Sequence, residues 1–231
     1  MNLSDKSPLD KLDAMALEVV AITPGLDHLE IYTMKGLLSV LWHGDGALED
    51  VVVCFGGAMG GLLGPDGGGY HQLGSRLLEQ GIGTLRVSYR NPNDLSMCIH
   101  DALAVMELAG RHGAKRFITV GHSFGGAVAI QAAAHLDADS VPGVVTLATQ
   151  SAGCEAVDGL GDRDLLFIHG TADTILPHQS SEMVRFLAET GEIWLIPGAD
   201  HLLRPAGAEV VDRLVDHIPK VFAQAGSNRS S

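Results

Sequence analysis

Lysine and arginine nowhere cluster in this chain, and acidic residues outnumber basic ones enough to give a formal net charge of −13 at neutral pH. Nucleic-acid binding needs a basic stripe or patch, so the sequence predicts no nucleic-acid partner, and attraction to anionic membranes is missing for the same reason. No apolar run reaches the length needed to cross a bilayer. Residues 1–27 intersperse Lys6, Asp10, Lys11 and Asp13 among isolated apolar residues, without the basic start and apolar core of a secretory signal. Cysteines are scarce as well. Cys54, Cys98 and Cys154 are odd in number and widely spaced, which fits neither a disulfide framework nor a zinc site. Together these absences predict a cytoplasmic protein with no zinc site of cysteines and no membrane partner, and Cys54, which lies in an apolar strand pattern, is read as a small packing group.

What the chain does contain is a core. Of its 231 residues 46% are hydrophobic and only 19% charged, the balance of one globular domain and far from that of a disordered segment. No internal repeat or linker interrupts it. The reading is an N-terminal extension over 1–27, a single domain over 28–226 and a flexible tail over 227–231. Within the domain, short β-branched runs alternate with longer helical patterns, the signature of βαβ units and a mainly parallel sheet covered on both faces. A hairpin is predicted over 28–34 and 37–42. Strands follow at 51–55, 84–89, 117–120, 143–148, 165–169 and 192–196. Helices are expected at 70–80, 95–111 with Asp94 as cap, 124–135, 177–190 and 206–223.

The chemistry gathers at the ends of those strands. Gly121-His122-Ser123-Phe124-Gly125-Gly126 separates an apolar strand from an alanine-rich helix, the context of a nucleophile elbow. The competing reading is a dinucleotide-binding turn. That would place the glycines after the first strand with an acidic residue about twenty positions on. Here the turn is mid-chain, and the later Asp137 and Asp139 end a helix.

A serine hydroxyl needs a base, and the base needs a group that favours its charged form. The segment Gly170-Thr171-Ala172-Asp173 follows one strand, and Pro197-Gly198-Ala199-Asp200-His201 follows another, so Asp173 is assigned as acid and His201 as base. Asp200 ranks second as acid, because a residue adjoining His201 is badly placed to reach its ring. His122 is read as a packing or turn-stabilising residue, and His169 as a local hydrogen-bonding one. For the oxyanion, the amide of Phe124 is one donor, and the glycine-rich loop after strand 51–55 supplies the other, Gly57 ahead of Ala58. No Gly-Lys-Ser or Gly-Lys-Thr triplet occurs, which argues against a phosphate-binding loop.

In these three segments the chain resembles the α/β-hydrolase superfamily, over roughly residues 31–222. The resemblance implies an α/β-hydrolase fold with a mainly parallel eight-stranded sheet, its second strand antiparallel and helices on both faces. It also implies no metal, no organic cofactor and hydrolysis through an acyl-enzyme. In small size and residue order the chain also resembles the small carboxylesterase and dienelactone-hydrolase-like branches, the latter with cysteine where this chain has Ser123. Only 149–164 separate two strands where larger members insert a lid, so little or no lid is expected. Met59 and Leu62 are assigned to substrate binding, with Leu63 and Cys154 as further lining. Arg90 is read as a surface salt bridge ahead of an anion contact. The expected function is cleavage of a small carboxylic ester or thioester on Ser123, with a small-molecule acyl substrate as partner, no nucleic acid or membrane, and no particular oligomeric state implied. The alternatives are a non-catalytic interaction protein of the same fold, and an acyltransferase or perhydrolase using the same triad.

Overall fold

A run such as Val51-Val52-Val53-Cys54-Phe55 can be apolar throughout only where both faces of its strand are covered. In the computed structural model, which describes residues 6–44 and 47–227, they are. Strands β1 (Ala14–Thr23), β2 (Leu26–Thr33), β3 (Gly36–His43), β4 (Asp50–Phe55), β5 (Gly83–Ser88), β6 (Arg116–His122), β7 (Gly143–Leu147), β8 (Asp164–Gly170) and β9 (Glu192–Ile196) form one sheet. Its order is β1-β2-β3-β5-β4-β6-β7-β8-β9. The strands from β5 onward along that order run parallel, while β1, β2 and β3 join antiparallel.

Alternate residues of β4 enter different layers. Val51, Val53 and Phe55 pack with α2 (Leu95–Arg111), α3 (Phe124–Ala134) and α4 (Gln179–Ala188). Val52 and Cys54 pack with α1 (Gly69–Leu78) and α5 (Gly207–Ser227). The cap on α2 forms as expected, with the Asp94 carboxylate accepting the Met97 amide at 3.1 Å. All three cysteines are buried and free. No helix among the described residues is long and apolar enough to cross a membrane.

Among the described residues the sheet has nine strands where eight were expected, and the additional one lies inside the stretch read as an extension. β1 pairs with β2 along its length, from Ala14 opposite Thr33 to Thr23 opposite Leu26, so the boundary expected at residue 28 falls inside the sheet. Every residue of β1 is exposed. With no face buried, the strand lacks the period-2 pattern that sequence reading depends on, and backbone pairing alone defines it. At the other end α5 runs to Ser227, and the remainder of the expected tail, like residues 1–5, lies outside the described residues.

Candidate active site

Because β4, β6, β8 and β9 are parallel, the loops at their carboxyl ends emerge on one side of the sheet, where ligands of open α/β sheets bind. The tightest of these connections joins β6 to α3 through a single residue, Ser123, whose backbone sits at φ 56° and ψ −121°. A non-glycine residue rarely adopts a positive φ, and here the turn is held from both sides. The Ser123 amide donates to the Leu147 carbonyl at 2.8 Å, and the Ser123 carbonyl accepts the Gly126 amide at 3.0 Å.

Flanking glycines make the turn possible by close approach. A Cβ on Gly121 would lie 1.9 Å from the Gly125 carbonyl oxygen, and one on Gly125 would lie 2.4 Å from that of Phe55. Gly121→Ala is therefore expected to destabilise the protein by more than ~3 kcal/mol, since backbone rather than a mobile side chain must give way. Thermal unfolding checks this. A melting temperature within a few degrees of the parent would show that the elbow has slack.

Asp173 lies in the loop after β8 with its side chain wholly buried. One carboxylate oxygen, Oδ1, accepts the amides of Ile175 at 2.8 Å and Leu176 at 2.9 Å, and the other, Oδ2, accepts from His201 Nδ1 at 2.6 Å. Burial works to raise this carboxyl, but the His201 hydrogen bond and the Leu176 and Ile175 amides outweigh it and hold it below the usual carboxylate range. Asp200, the second-ranked acid, faces elsewhere. Its carboxylate accepts the amides of Leu202 and Arg204 and pairs with the Arg204 guanidinium at 2.9 Å.

His201 is brought to the elbow by its neighbour in space. The buried His122 ring donates from Nε2 to the His201 carbonyl at 2.8 Å, and the two rings lie 4.9 Å apart between centroids. This contact gives His122 a definite task, holding the histidine loop against the residue that precedes Ser123. Among the described residues the Ser123 hydroxyl forms no hydrogen bond, and what ties the His201 loop to the elbow is the bond from His122, the residue before the serine, to the His201 carbonyl.

The glycine loop completes the arrangement. A Cβ on Gly57 would lie 3.6 Å from the Ser123 Cβ, which places that backbone directly over the serine. Gly57 pairs with Gly60 in an isolated bridge, and the Gly60 amide donates to the Gly57 carbonyl at 2.8 Å, closing the tight turn that carries Ala58 and Met59. Phe124, as the first residue of α3, has an amide without an intrahelical partner and sits at the positive end of the helix dipole. The loop is tied down by a residue that sequence reading passed over. Arg86, buried on β5, donates from Nη1 to the Leu62 carbonyl at 3.2 Å. A lone charge inside an apolar strand pattern was the available signal.

Of the residues assigned to substrate contact, Met59 is 93% exposed and Leu62 is half-buried. Leu63, Ile175 and Leu202 are exposed in the same set of loops. Cys154 does not line this surface. It is buried, with its thiol donating to the Gln150 carbonyl at 3.1 Å. Arg90 is neither on the surface nor free for an anion. Its Nε meets Asp101 at 2.5 Å with both side chains buried, beneath a second bond from the Arg90 amide to the same carboxylate at 2.9 Å. The segment 149–163 forms a short 3-10 turn at Glu155–Leu160, whose Val157 and Leu160 pack into the core instead of covering the serine. Two surface grooves of about 540 and 470 Å³ lie away from this site, beside Ile99 on α2 and beside His217 on α5.

Buried histidines also set a pH limit on the fold. Burial pushes the pKa of His122 down to about 4, and burial, with the nearby Arg86 charge, does the same to His43 on β3. The unfolded chain, with imidazoles near their ordinary value, binds more protons than the folded one between pH 4 and 6.5. Stability is therefore full above that window and falls as pH drops through it. Each histidine contributes about 2 kcal/mol of loss by pH 5. Urea unfolding at pH 7.5 and pH 5 measures the sum, and His43→Leu should remove about half of the difference. A midpoint that ignores pH over this range would refute the assignment.

Comparison with known proteins bears on the whole arrangement. Residues 59–203 match the model of a family described as the alpha/beta hydrolase family. Among solved structures, Est1E from Butyrivibrio proteoclasticus superposes with a TM-score of 0.73 at 16% identity, covering 85% of this chain and 99% of that one. An esterase from Pyrococcus furiosus, Pf2001, gives 0.69 at 16% identity over 94% and 96% of the two chains. A dienelactone hydrolase from Anabaena variabilis gives 0.68 at 16% identity over 87% and 96%. At such identities the structural likeness speaks for the fold alone. No curated protein matches at the level of sequence.

Proposed function

Because the chain belongs to the α/β-hydrolase family, we propose that it is a serine hydrolase cleaving a small carboxylic ester or thioester through an acyl-enzyme on Ser123. The observation that carries this reading is the 2.6 Å bond between Asp173 and His201 Nδ1, with a serine at the elbow whose hydroxyl bonds to no described residue. With Nδ1–H given to the carboxylate, Nε2 is left as the basic nitrogen, the tautomer that general-base catalysis requires.

In this reading His201 takes the Ser123 proton as the oxygen attacks the substrate carbonyl. Asp173, held ionised, stabilises the imidazolium that forms. The amide of Phe124 and that of Gly57 or Ala58 receive the developing oxyanion, and each such donor is worth roughly a hundredfold to a thousandfold in rate. His201 then protonates the leaving group, and water, deprotonated by the same ring, releases the acid. Proton transfer in this reading needs a Ser123–His201 hydrogen bond in the reacting complex. Met59, Ile175 and Leu202, exposed on the loops after β4, β8 and β9, receive the apolar part of the substrate in this reading, and an open surface of that kind favours short or extended acyl groups over long buried chains.

The test is covalent labelling. A fluorophosphonate probe should add one equivalent of mass to the intact protein, mapped by peptide sequencing to Ser123, and a series of nitrophenyl esters should then be cleaved with a preference for short acyl chains. A protein that stays unlabelled and turns over none of the esters would favour a non-catalytic role for the fold.

A further inference from the structure

The mechanism above uses one of the bonds to Asp173 Oδ2 and leaves a second without a role. His169, the penultimate residue of β8, is fully buried and directs its ring toward α4. Its Nε2 lies 3.1 Å from Asp173 Oδ2, the oxygen that also receives His201, and 3.1 Å from the Leu176 carbonyl. Two acceptors around one nitrogen require that this nitrogen carry the hydrogen and share it. Nδ1 is then the acceptor of the ring, and the wholly buried Ser181 hydroxyl on α4, 2.7 Å away, is its donor. Burial also holds His169 below the ordinary histidine range, which keeps the ring neutral.

We infer that His169, its tautomer set by Ser181, is a positioning residue for the hydrolysis proposed above: it locks the Asp173 carboxylate so that Oδ2 faces His201. The inference rests on that reading of the site. With two amides on Oδ1 and two imidazole N–H groups on Oδ2, the carboxylate has no freedom to rotate away from the base. The neutral donor also draws off part of the charge on Oδ2, so Asp173 orients His201 without over-stabilising its protonated form. The titratable groups facing this carboxylate are His169 from β8 and His201 from the loop after β9, with His122 from β6 behind the latter. From α4 it is faced, through His169, by the uncharged Ser181, while His178 and Glu182 pair with each other at 3.9 Å.

The test is a set of pH–rate profiles on the full chain with a nitrophenyl ester, for the parent, His169→Leu, His169→Gln and Ser181→Ala, with Ser123→Ala as control. His169→Leu should lower kcat roughly ten- to hundredfold, the range typical of lost outer hydrogen-bond partners, while KM stays within about twofold. Removing the N–H concentrates charge on the bond to His201 and favours the imidazolium. The acid limb of kcat/KM, which reports protonation of the base, should therefore move to higher pH. His169→Gln can restore an N–H near the position of Nε2 and should recover most of the rate and return the limb. Ser181→Ala frees the ring to adopt the other tautomer and should fall between. An unmoved limb in His169→Leu, or equal losses in His169→Leu and His169→Gln, would reduce His169 to a structural part and overturn the inference. Where His169→Leu fails to fold, a parental rate and limb in Ser181→Ala would do the same. A Ser123→Ala control that retains parental activity would instead reject the site reading itself, a result distinct from the others.

Discussion

Replacing Ser123 by alanine is expected to lower kcat for ester hydrolysis by at least a thousandfold, and toward a millionfold if its machinery acts as a unit. The residue has no structural duty that alanine cannot meet. Its side chain bonds to no described residue, and the bonds that hold the turn run through its amide and carbonyl. The elbow conformation at φ 56° is already strained for any side chain, and alanine inherits it unchanged. Stability and the circular dichroism spectrum should therefore match the parent while fluorophosphonate labelling disappears. Steady-state kinetics with a nitrophenyl ester make the comparison. Equal rates in the two proteins would mean that Ser123 is not the nucleophile and that any observed hydrolysis arises elsewhere.

Asp173→Asn is expected to cost about ten thousandfold in kcat, by a route that the hydrogen bonds define. Oδ1 takes two backbone amides, so the carbonyl of an asparagine must occupy that place and its NH₂ must take the place of Oδ2. That NH₂ would then donate to His201 Nδ1, which forces the hydrogen onto Nε2 and leaves no lone pair for the serine proton. It would also meet the N–H of His169 head on, donor against donor. The variant should consequently lose some stability as well as nearly all turnover, and its residual rate should rise at high pH, where hydroxide can replace the missing base. Retention of more than about a tenth of the parental kcat would exclude this tautomer argument.

The parallel half of the sheet and its helices were legible along the chain because each carries a repeating pattern. Val51 to Phe55 is apolar on both faces because both faces are covered, and the helix after Asp94 announces itself by a cap that the structure forms. β1 was not legible because an edge strand exposed on both faces has no alternation to betray it, and its order comes from hydrogen bonds to β2. Arg90 was misjudged for a related reason. The letters Arg and Asp, eleven residues apart, do not disclose that a turn and a helix enclose the pair and remove it from water.

Residue types and their order along the chain were enough to single out Ser123, Asp173 and His201 as candidates, since glycine spacing and strand ends are local properties. Which partners those side chains meet was decided only in three dimensions. His122 anchors the His201 loop across 79 positions, Arg86 holds Leu62, and Asp173 is shared between two histidines. Local sequence dictates backbone conformation through steric limits and periodic burial. Hydrogen bonds between loops depend on the distances that remain once the sheet has twisted and its layers have packed, and no stretch of the chain encodes those distances by itself.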